Sequence, residues 1–331
     1  MSDLLPIIIL AGGNDRVETI PDGFTADDLL RGFKGAVKLP SGRCIAGELV
    51  ERIRESARFE KPILVGPRRI YHDLVDCEIW DTTGDLLATV TGLTRILTER
   101  YPHRPVAVSA CDILPTAADF RELLDESYRP QADSGLWWQM IAADPDEMGV
   151  SGWKPSYPMR PSPDGPLLNL YPGHLLIFRP DAVRLDWFNR FLMLAYRFRN
   201  RSLYERIIRI TLRVMGLWLA DDLRRIASFQ WPGRIVGAPY GIFRMYYRYC
   251  VKRVTVPDLA AELTRQIMVP GRTRGFDHPV AMAVTRLRSF AKDIDTRTEL
   301  EEILRDGEAQ RGQEGAPAPT CASHSSKNAG P

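Results

Sequence analysis

The sequence predicts an α/β fold, with helices layered on both faces of a mostly parallel, twisted sheet. Three observations carry this. Short apolar runs alternate with helix-period segments from Ile7 to Glu126, as successive βαβ units require. The first run, Pro6-Ile7-Ile8-Ile9-Leu10, passes directly into Ala11-Gly12-Gly13. The fourth run ends two residues before Asp112, at the rim where open α/β sheets bind ligands.

Taken in order, the predicted strands are Ile7–Leu10, Pro62–Val65, Cys77–Trp80 and Val106–Ala110. Helices are predicted between them at Ile45–Arg58 and Leu86–Arg100, and after them at Ala117–Glu126. Ile45, Leu49, Val50 and Ile53 recur at helical spacing and form one apolar face. Tyr128–Pro166 is rich in Pro, Gly and Asp and reads as a long excursion. Strand structure is expected to return at Leu167–Asn169 and Leu175–Phe178, on either side of Tyr171-Pro172-Gly173-His174.

A mainly helical block follows at Trp187–Ala227, then an aromatic and basic stretch at Phe243–Lys252. Arg206, Arg209 and Arg213 share one helix face, and Ile207, Ile210, Val214 and Leu217 a neighbouring apolar one. The chain closes with Lys292-Asp293-Ile294-Asp295-Thr296 and a short helix, Thr298–Arg305. The expected organisation is an α/β core over 1–180, a basic helical insertion over 181–262, a return to the core over 263–305, and a disordered tail over 306–331.

Composition narrows the function classes. The chain has 331 residues, enough for a full core, with 44% apolar and 26% charged residues, ordinary for a globular protein. No stretch is apolar for long enough to span a bilayer, and the N-terminus reads as lacking a signal peptide. Five scattered cysteines without a CxxC pair point to reduced thiols and away from a structural zinc site. The expected setting is therefore the cytoplasm.

Net charge is +2, but Asp181–Val254 holds 15 Lys/Arg against 5 Asp/Glu, a local balance of +10. Such a block points to an anionic partner. One reading is an Arg-rich solvated face over an ordinary helical core. The other is peripheral attachment to the anionic inner face of a membrane. Nucleic acid is disfavoured, because Trp218, Tyr246, Tyr247 and Tyr249 form no base-stacking module.

Glycine lets a main chain turn sharply and lets a phosphate or base come close to backbone N–H groups, which makes Leu10-Ala11-Gly12-Gly13 a candidate nucleotide loop. Asp112 is either a rim carboxylate able to hold a hard cation or a helix cap. Asp293 and Asp295 share a face if their segment is extended, while Thr296 and Glu299 read as a capping box. One aspartate from each cluster would suffice for Mg²⁺, which fills its remaining positions with phosphate oxygens and water. Lys34, Lys38, Arg16 and Arg43 are candidates to neutralise a pyrophosphate leaving group. The absence of GxGxxG and of a P-loop disfavours nicotinamide enzymes and P-loop NTPases, and no nucleophile triad is apparent.

In this order the segments resemble the MobA-like NTP transferases, in the superfamily that includes sugar-phosphate and molybdenum-cofactor nucleotidyltransferases. Ile9-Leu10-Ala11-Gly12-Gly13 looks like the family's LAGG loop, and Lys34–Ile45 is similar to its lysine-containing segment. Val65-Gly66-Pro67, Thr83-Gly84-Asp85-Leu86, Ala110-Cys111-Asp112-Ile113, Pro172-Gly173-His174 and Asp293-Ile294-Asp295-Thr296 resemble further family elements.

The resemblance implies a GT-A-like sandwich that binds an NTP and Mg²⁺, with Mn²⁺ as a substitute. It implies that Leu10, Ala11, Gly12, Gly13, Gly84 and Asp85 bind nucleotide, that Asp112 and Asp293 bind metal, and that Gly173 and His174 lie beside the acceptor. Lys34 stands one residue further from Gly42-Arg43 than the family spacing, so Lys34 and Lys38 both remain candidates for the phosphate-contacting lysine, with Arg16 beside them.

The implied reaction is Mg²⁺-dependent transfer of an NMP group from an NTP to a phosphorylated or hydroxyl acceptor with release of pyrophosphate; the acceptor is expected to be small, or lipid-linked if the basic block attaches to a membrane. The alternatives are a catalytically degraded nucleotide-binding module and a GT-A nucleotide-sugar glycosyltransferase.

Overall fold

The computed structural model describes residues 4–13, 25, 30, 32–148, 156–198, 203–229, 234–302 and 304–305. Arg16 and the expected tail over 306–331 lie outside the described residues.

The strands are β1 (Ile7–Leu10), β2 (Ile63–Gly66), β3 (Glu78–Asp81), β4 (Val106–Ala110), β5 (Ser134–Ala142), β6 (Tyr157–Met159), β7 (Leu168–Phe178) and β8 (His278–Thr285). They form one sheet in the order β3-β2-β1-β4-β7-β5-β8, with β6 paired to β7. β1 runs parallel to β2 and β4, β2 to β3, and β5 to β8. Among the described residues, every antiparallel pairing of named strands involves β7, with β4, β5 or β6 as its partner. The direction of winding reverses at β1, whose two neighbours are β2 and β4, and such a reversal opens a crevice at the carboxyl ends of the strands.

Burial along β1 explains the layering. Ile7 and Ile9 pack into the core that contains Ile45, Leu49 and Ile53 of α1 (Ile45–Ser56). Ile8, between them, faces the other way, into the core of Leu93, Ile96 and Leu97 of α3 (Leu86–Arg100). A strand buried on both faces needs no polar alternation, which is why it reads as an unbroken apolar run. α2 (Arg68–Tyr71) and α4 (Ala117–Glu122) complete this half, and Thr116 and Asp119 form a capping box at the start of α4.

The second half departs from the sequence expectation in its strands: β6 and β8 fall where none was expected, and β5 and β7 differ as well. β5 lies inside the expected excursion, where Ser134-Gly-Leu-Trp-Trp-Gln-Met-Ile-Ala142 forms a strand between β7 and β8. β7 is continuous through Tyr171-Pro172-Gly173-His174 rather than split by a turn. Pro172 is tolerated because the β4 ladder reaches only to Leu175, so its missing N–H falls outside that pairing. It also stands opposite Met140, next to a register shift in β5.

Between β7 and β8 lie α5 (Leu185–Phe198), α6 (Leu203–Ala227), α7 (Arg234–Cys250) and α8 (Val256–Ile267). Ile210, Val214 and Leu217 pack as the helical pattern predicts, around a stack of Trp187 on Trp218 with ring centroids 6.1 Å apart. The side chains of Arg206 and Ile207 are outside the described residues. The stem of this excursion is closed by main-chain bonds from Arg184 N–H to Ile267 O (2.7 Å) and from Val269 N–H to Ala182 O (2.8 Å). Among the described residues no helix is long and apolar enough to cross a membrane.

Candidate functional site

The carboxyl edge of the sheet collects the ends of β1, β2, β4 and β8. Past the end of β1, Ala11 N–H donates to Val65 O at 2.9 Å and Gly13 N–H to Gly84 O at 2.8 Å, so the loop is tied to β2 and to the segment following β3. The ring of Phe33 explains two of these glycines: a Cβ on Gly13 would lie 2.6 Å from it, and one on Gly84 2.7 Å. Gly84 also has φ +90°, a left-handed conformation that L side chains seldom adopt. The N–H of Gly13 is already committed, so this loop offers close approach rather than that donor.

Phe33 leads into a 3-10 turn, Lys34–Ala36. Gly35 lets the turn settle onto the core, since a Cβ there would meet the Tyr71 hydroxyl at 3.0 Å and Cys111 Sγ at 3.1 Å. Burial pushes the Tyr71 hydroxyl upward, and the neighbouring Cys111, Cys44 and Asp112 add to it, so it stays protonated. The turn aims Lys34 at Asp112, which follows β4, and at Asp295, which follows β8. Lys34 Nζ stands 3.5 Å from Asp112 Oδ2 and is in direct contact with Asp295 Oδ1.

Asp112, Asp293 and Asp295 each offer a carboxylate oxygen, and the three lie within 4.8 Å of one another. Burial works against the charge of Lys34, but Asp112, Asp295 and Asp293 outweigh it and hold the ammonium above the ordinary lysine range. Three carboxylates against one ammonium leave a net negative pocket of hard oxygen donors. That donor set suits a hard divalent cation such as Mg²⁺ or Mn²⁺.

The two sequence readings of the closing segment hold together. Thr296 and Glu299 do form a capping box: Glu299 N–H donates to Thr296 Oγ1 at 3.1 Å and Thr296 N–H to Glu299 Oε2 at 3.0 Å. Glu299 Oε2 also accepts from Asp295 N–H at 2.9 Å, so the cap fixes the backbone that carries the aspartate.

The other candidates are placed as follows. Lys38 is exposed on the turn that pairs with Cys44, and the lysine that reaches the acidic cluster is Lys34. Arg43 is exposed and lies 3.6 Å from Glu48. Asp85 N-caps α3, accepting from Ala88 N–H at 2.9 Å, and the Thr83 hydroxyl first and that N–H second hold it below the usual carboxylate range. Gly173 underlies Gln139, whose Cγ would lie 2.4 Å from an added Cβ, while Trp138 Nε1 donates to its carbonyl at 2.8 Å. Continuing the pairing of Ser109 with Leu175 sets His174 level with Ala110, at the end of β4 that leads to Asp112.

Sequence reasoning missed Phe33, Gly35 and Tyr71. The signal for the first two was local, since they flank Lys34 directly. Tyr71 carried none, because only the fold brings it beneath the turn.

No family model and no curated protein matches this sequence. Among solved structures, a hypothetical transferase from Thermus thermophilus aligns over 90% of this chain and 100% of its own, with 17% identity and a TM-score of 0.50. A CMP-2-keto-3-deoxy-manno-octonic acid synthetase solved with CTP aligns over 94% of this chain and 100% of its own, at 11% identity and TM-score 0.47. A mannose-1-phosphate geranyltransferase, also from Thermus thermophilus, aligns over 86% of this chain and 75% of its own, at 11% identity and TM-score 0.41. The first likeness is one of fold: a mixed α/β chain with a mostly parallel central sheet and flanking helices.

Proposed function

We propose that this chain is a nucleotidyltransferase of the MobA-like kind, moving an NMP group from an NTP to an acceptor oxygen with release of pyrophosphate. The observation that supports it most is the meeting of Asp112, Asp293, Asp295 and Lys34 beside the Gly12-Gly13 loop at the reversal point of the sheet. The fold shared with the hypothetical transferase from Thermus thermophilus agrees with this reading.

In the proposed reaction an acceptor oxygen attacks the α-phosphorus in line. The new P–O bond forms as the bond to the pyrophosphate oxygen breaks, and the acceptor proton passes to solvent when the acceptor is a hydroxyl. No side-chain nucleophile is needed, which suits a site without a triad. Gly12 and Gly13 admit the nucleotide close to the main chain, and Lys34 offers positive charge to the phosphates. Asp112, Asp293 and Asp295 would hold Mg²⁺, with Mn²⁺ as a substitute, and such an ion when bound would offset charge on the α- and leaving phosphates. Gly173 and His174 border the acceptor side, and the acceptor is a phosphorylated or hydroxylic compound, small or lipid-linked.

A pyrophosphate-release screen tests this, with each of the four NTPs against phosphosugars, polyols and lipid phosphates in Mg²⁺. Acceptor-dependent release is the expected result. Release of NDP from nucleotide sugars would make the chain a glycosyltransferase, and NTP binding without turnover across the panel would make it a binding module.

A further inference from the structure

α6 carries a row of apolar side chains that the rest of the described protein leaves uncovered. Ile208, Leu212, Met215, Leu219, Leu223 and Ile226 recur every three or four residues and so lie along one face of the helix. Their exposure runs from 41% at Ile208 and Met215 to 64% at Leu212. This is a different face from the one that packs inward, where Val214 and Trp218 are buried. α7 repeats the pattern with Tyr240, Phe243 and Tyr247, all exposed. Phe229, just beyond α6, is fully exposed. Isolated exposed apolar residues need no explanation, but a continuous row along a 25-residue helix does.

The charges beside the row narrow what covers it. Arg209, Arg213 and Arg224 each follow a member of the row directly, at Ile208, Leu212 and Leu223, so they sit about 100° round the axis on one common flank. All three are exposed. From Leu203 to Val251 there are eight arginines and three carboxylates, and of these three Asp222 is buried and Glu205 is paired with Arg209 at 2.7 Å. Two copies of this chain meeting through this surface would set like charge against like. An anionic lipid surface would instead meet arginine with phosphate and take up the apolar row and the tyrosines at headgroup depth.

We propose that α6 and α7 form a docking surface for an anionic lipid bilayer. The row enters the boundary between headgroups and acyl chains, and the arginines engage lipid phosphates. This inference stands on the helices alone and does not depend on the reaction at the acidic cluster.

Flotation of the full chain with phosphatidylcholine vesicles, with and without about 30% phosphatidylglycerol, tests it. Binding to the anionic vesicles at least about ten-fold tighter than to the neutral ones is expected. The triple variant Leu212→Ser, Leu219→Ser, Leu223→Ser should lose that binding while keeping its near-UV circular dichroism. The double variant Arg213→Gln, Arg224→Gln, which leaves the apolar row intact, should bind roughly 30-fold more weakly; it supplies the readout if the serine variant misfolds. Equal binding to both vesicle types, no binding to either, or unchanged binding by the serine variant would overturn the proposal. So would a dimer in analytical ultracentrifugation that the serine variant converts to monomer, because a second copy would then be what covers the row.

Discussion

The main-chain N–H of Ile294 donates to the carbonyl oxygen of Asp112 at 2.8 Å, stitching the segment after β8 to the loop after β4. Ile294 is fully buried, and its neighbours Asp293 and Asp295 both contribute to the cluster with Asp112. An inward apolar residue between two aspartates thus delivers both carboxylates to one side of the chain, as alternation in extended backbone requires.

The first prediction follows for Asp112. Replacing it with Asn keeps the volume and the backbone bond to Ile294 but removes a charge from the cluster. Pyrophosphate release should fall by about 10²- to 10³-fold or more, with an unchanged circular dichroism spectrum. Turnover equal to wild type in a coupled pyrophosphate assay would remove Asp112 from the site.

Lys34 and Lys38 should separate cleanly. Lys34→Met leaves three carboxylates within 4.8 Å without their ammonium. In chelator-treated buffer it should cost about 2–4 kcal/mol of stability. Mg²⁺ should recover more of the melting temperature in this variant than in wild type, because the ion replaces the missing charge. Lys38→Met, on an exposed turn, should change neither melting nor turnover by more than about two-fold. Equal responses of the two variants to Mg²⁺ would contradict this assignment.

Asp85 offers a test of capping against ligand contact. Asp85→Ala should lose about 1 kcal/mol through the N-cap of α3, whereas Asp85→Ser restores the cap and the stability. If the serine variant regains its melting temperature but binds NTP more weakly by titration calorimetry, the carboxylate touches nucleotide as well. If both recover together, its role is confined to the helix.

The acid limb of the stability curve should carry the signature of Asp125. Arg58 grips its carboxylate through two nitrogens, at 3.0 and 2.6 Å, and this hydrogen bonding holds Asp125 below its ordinary value of 3.8. A carboxylate depressed in the folded state stabilises it fully above the unfolded value and loses that contribution as pH falls through the folded one. Asp125→Asn should therefore be up to about 1 kcal/mol less stable than wild type at pH 7, a figure kept small by solvent screening. The gap should narrow as pH falls below 3.8 and vanish once it has passed the depressed folded value, measured from urea midpoints. A gap that persists at low pH would point to packing instead of charge.

Legibility in the sequence tracked how local the determining physics was. β1 and β4 were read to the residue because both are buried on both faces and bounded by turn residues. α3 was also read to the residue from its helical spacing, though its N-cap, Asp85, was named there only as a nucleotide contact. β5 was hidden: its mixture of Gly135, two tryptophans and Gln139 has no period, and its neighbourhood is full of Pro, Gly and Asp. β8 was missed because Pro279, Ala281 and Ala283 are poor strand formers, and only pairing with β5 makes them a strand. At the site, Asp112 and Asp293 were visible as acidic residues near the strands and came together through the β8 connection. The choice between Lys34 and Lys38 was not visible, because it depends on a turn seated on Tyr71 and Cys111.

The two main-chain bonds that close the stem at Ala182–Arg184 and Ile267–Val269 have a wider meaning. A second tie, Arg160 N–H to Val254 O and Val256 N–H to Arg160 O, both 2.9 Å, fixes the chain again just before α8. α6 and α7 thus hang between two anchored points, and the entropy of closing a segment grows only with the logarithm of its length. α5, α8 and the inner side of α7 are held by the sheet's buried clusters, whereas the exposed faces of α6 and α7 can be recoloured in charge while the strand ends that hold the carboxylates stay where they are. That outward face can therefore drift independently of the chemistry at the strand ends.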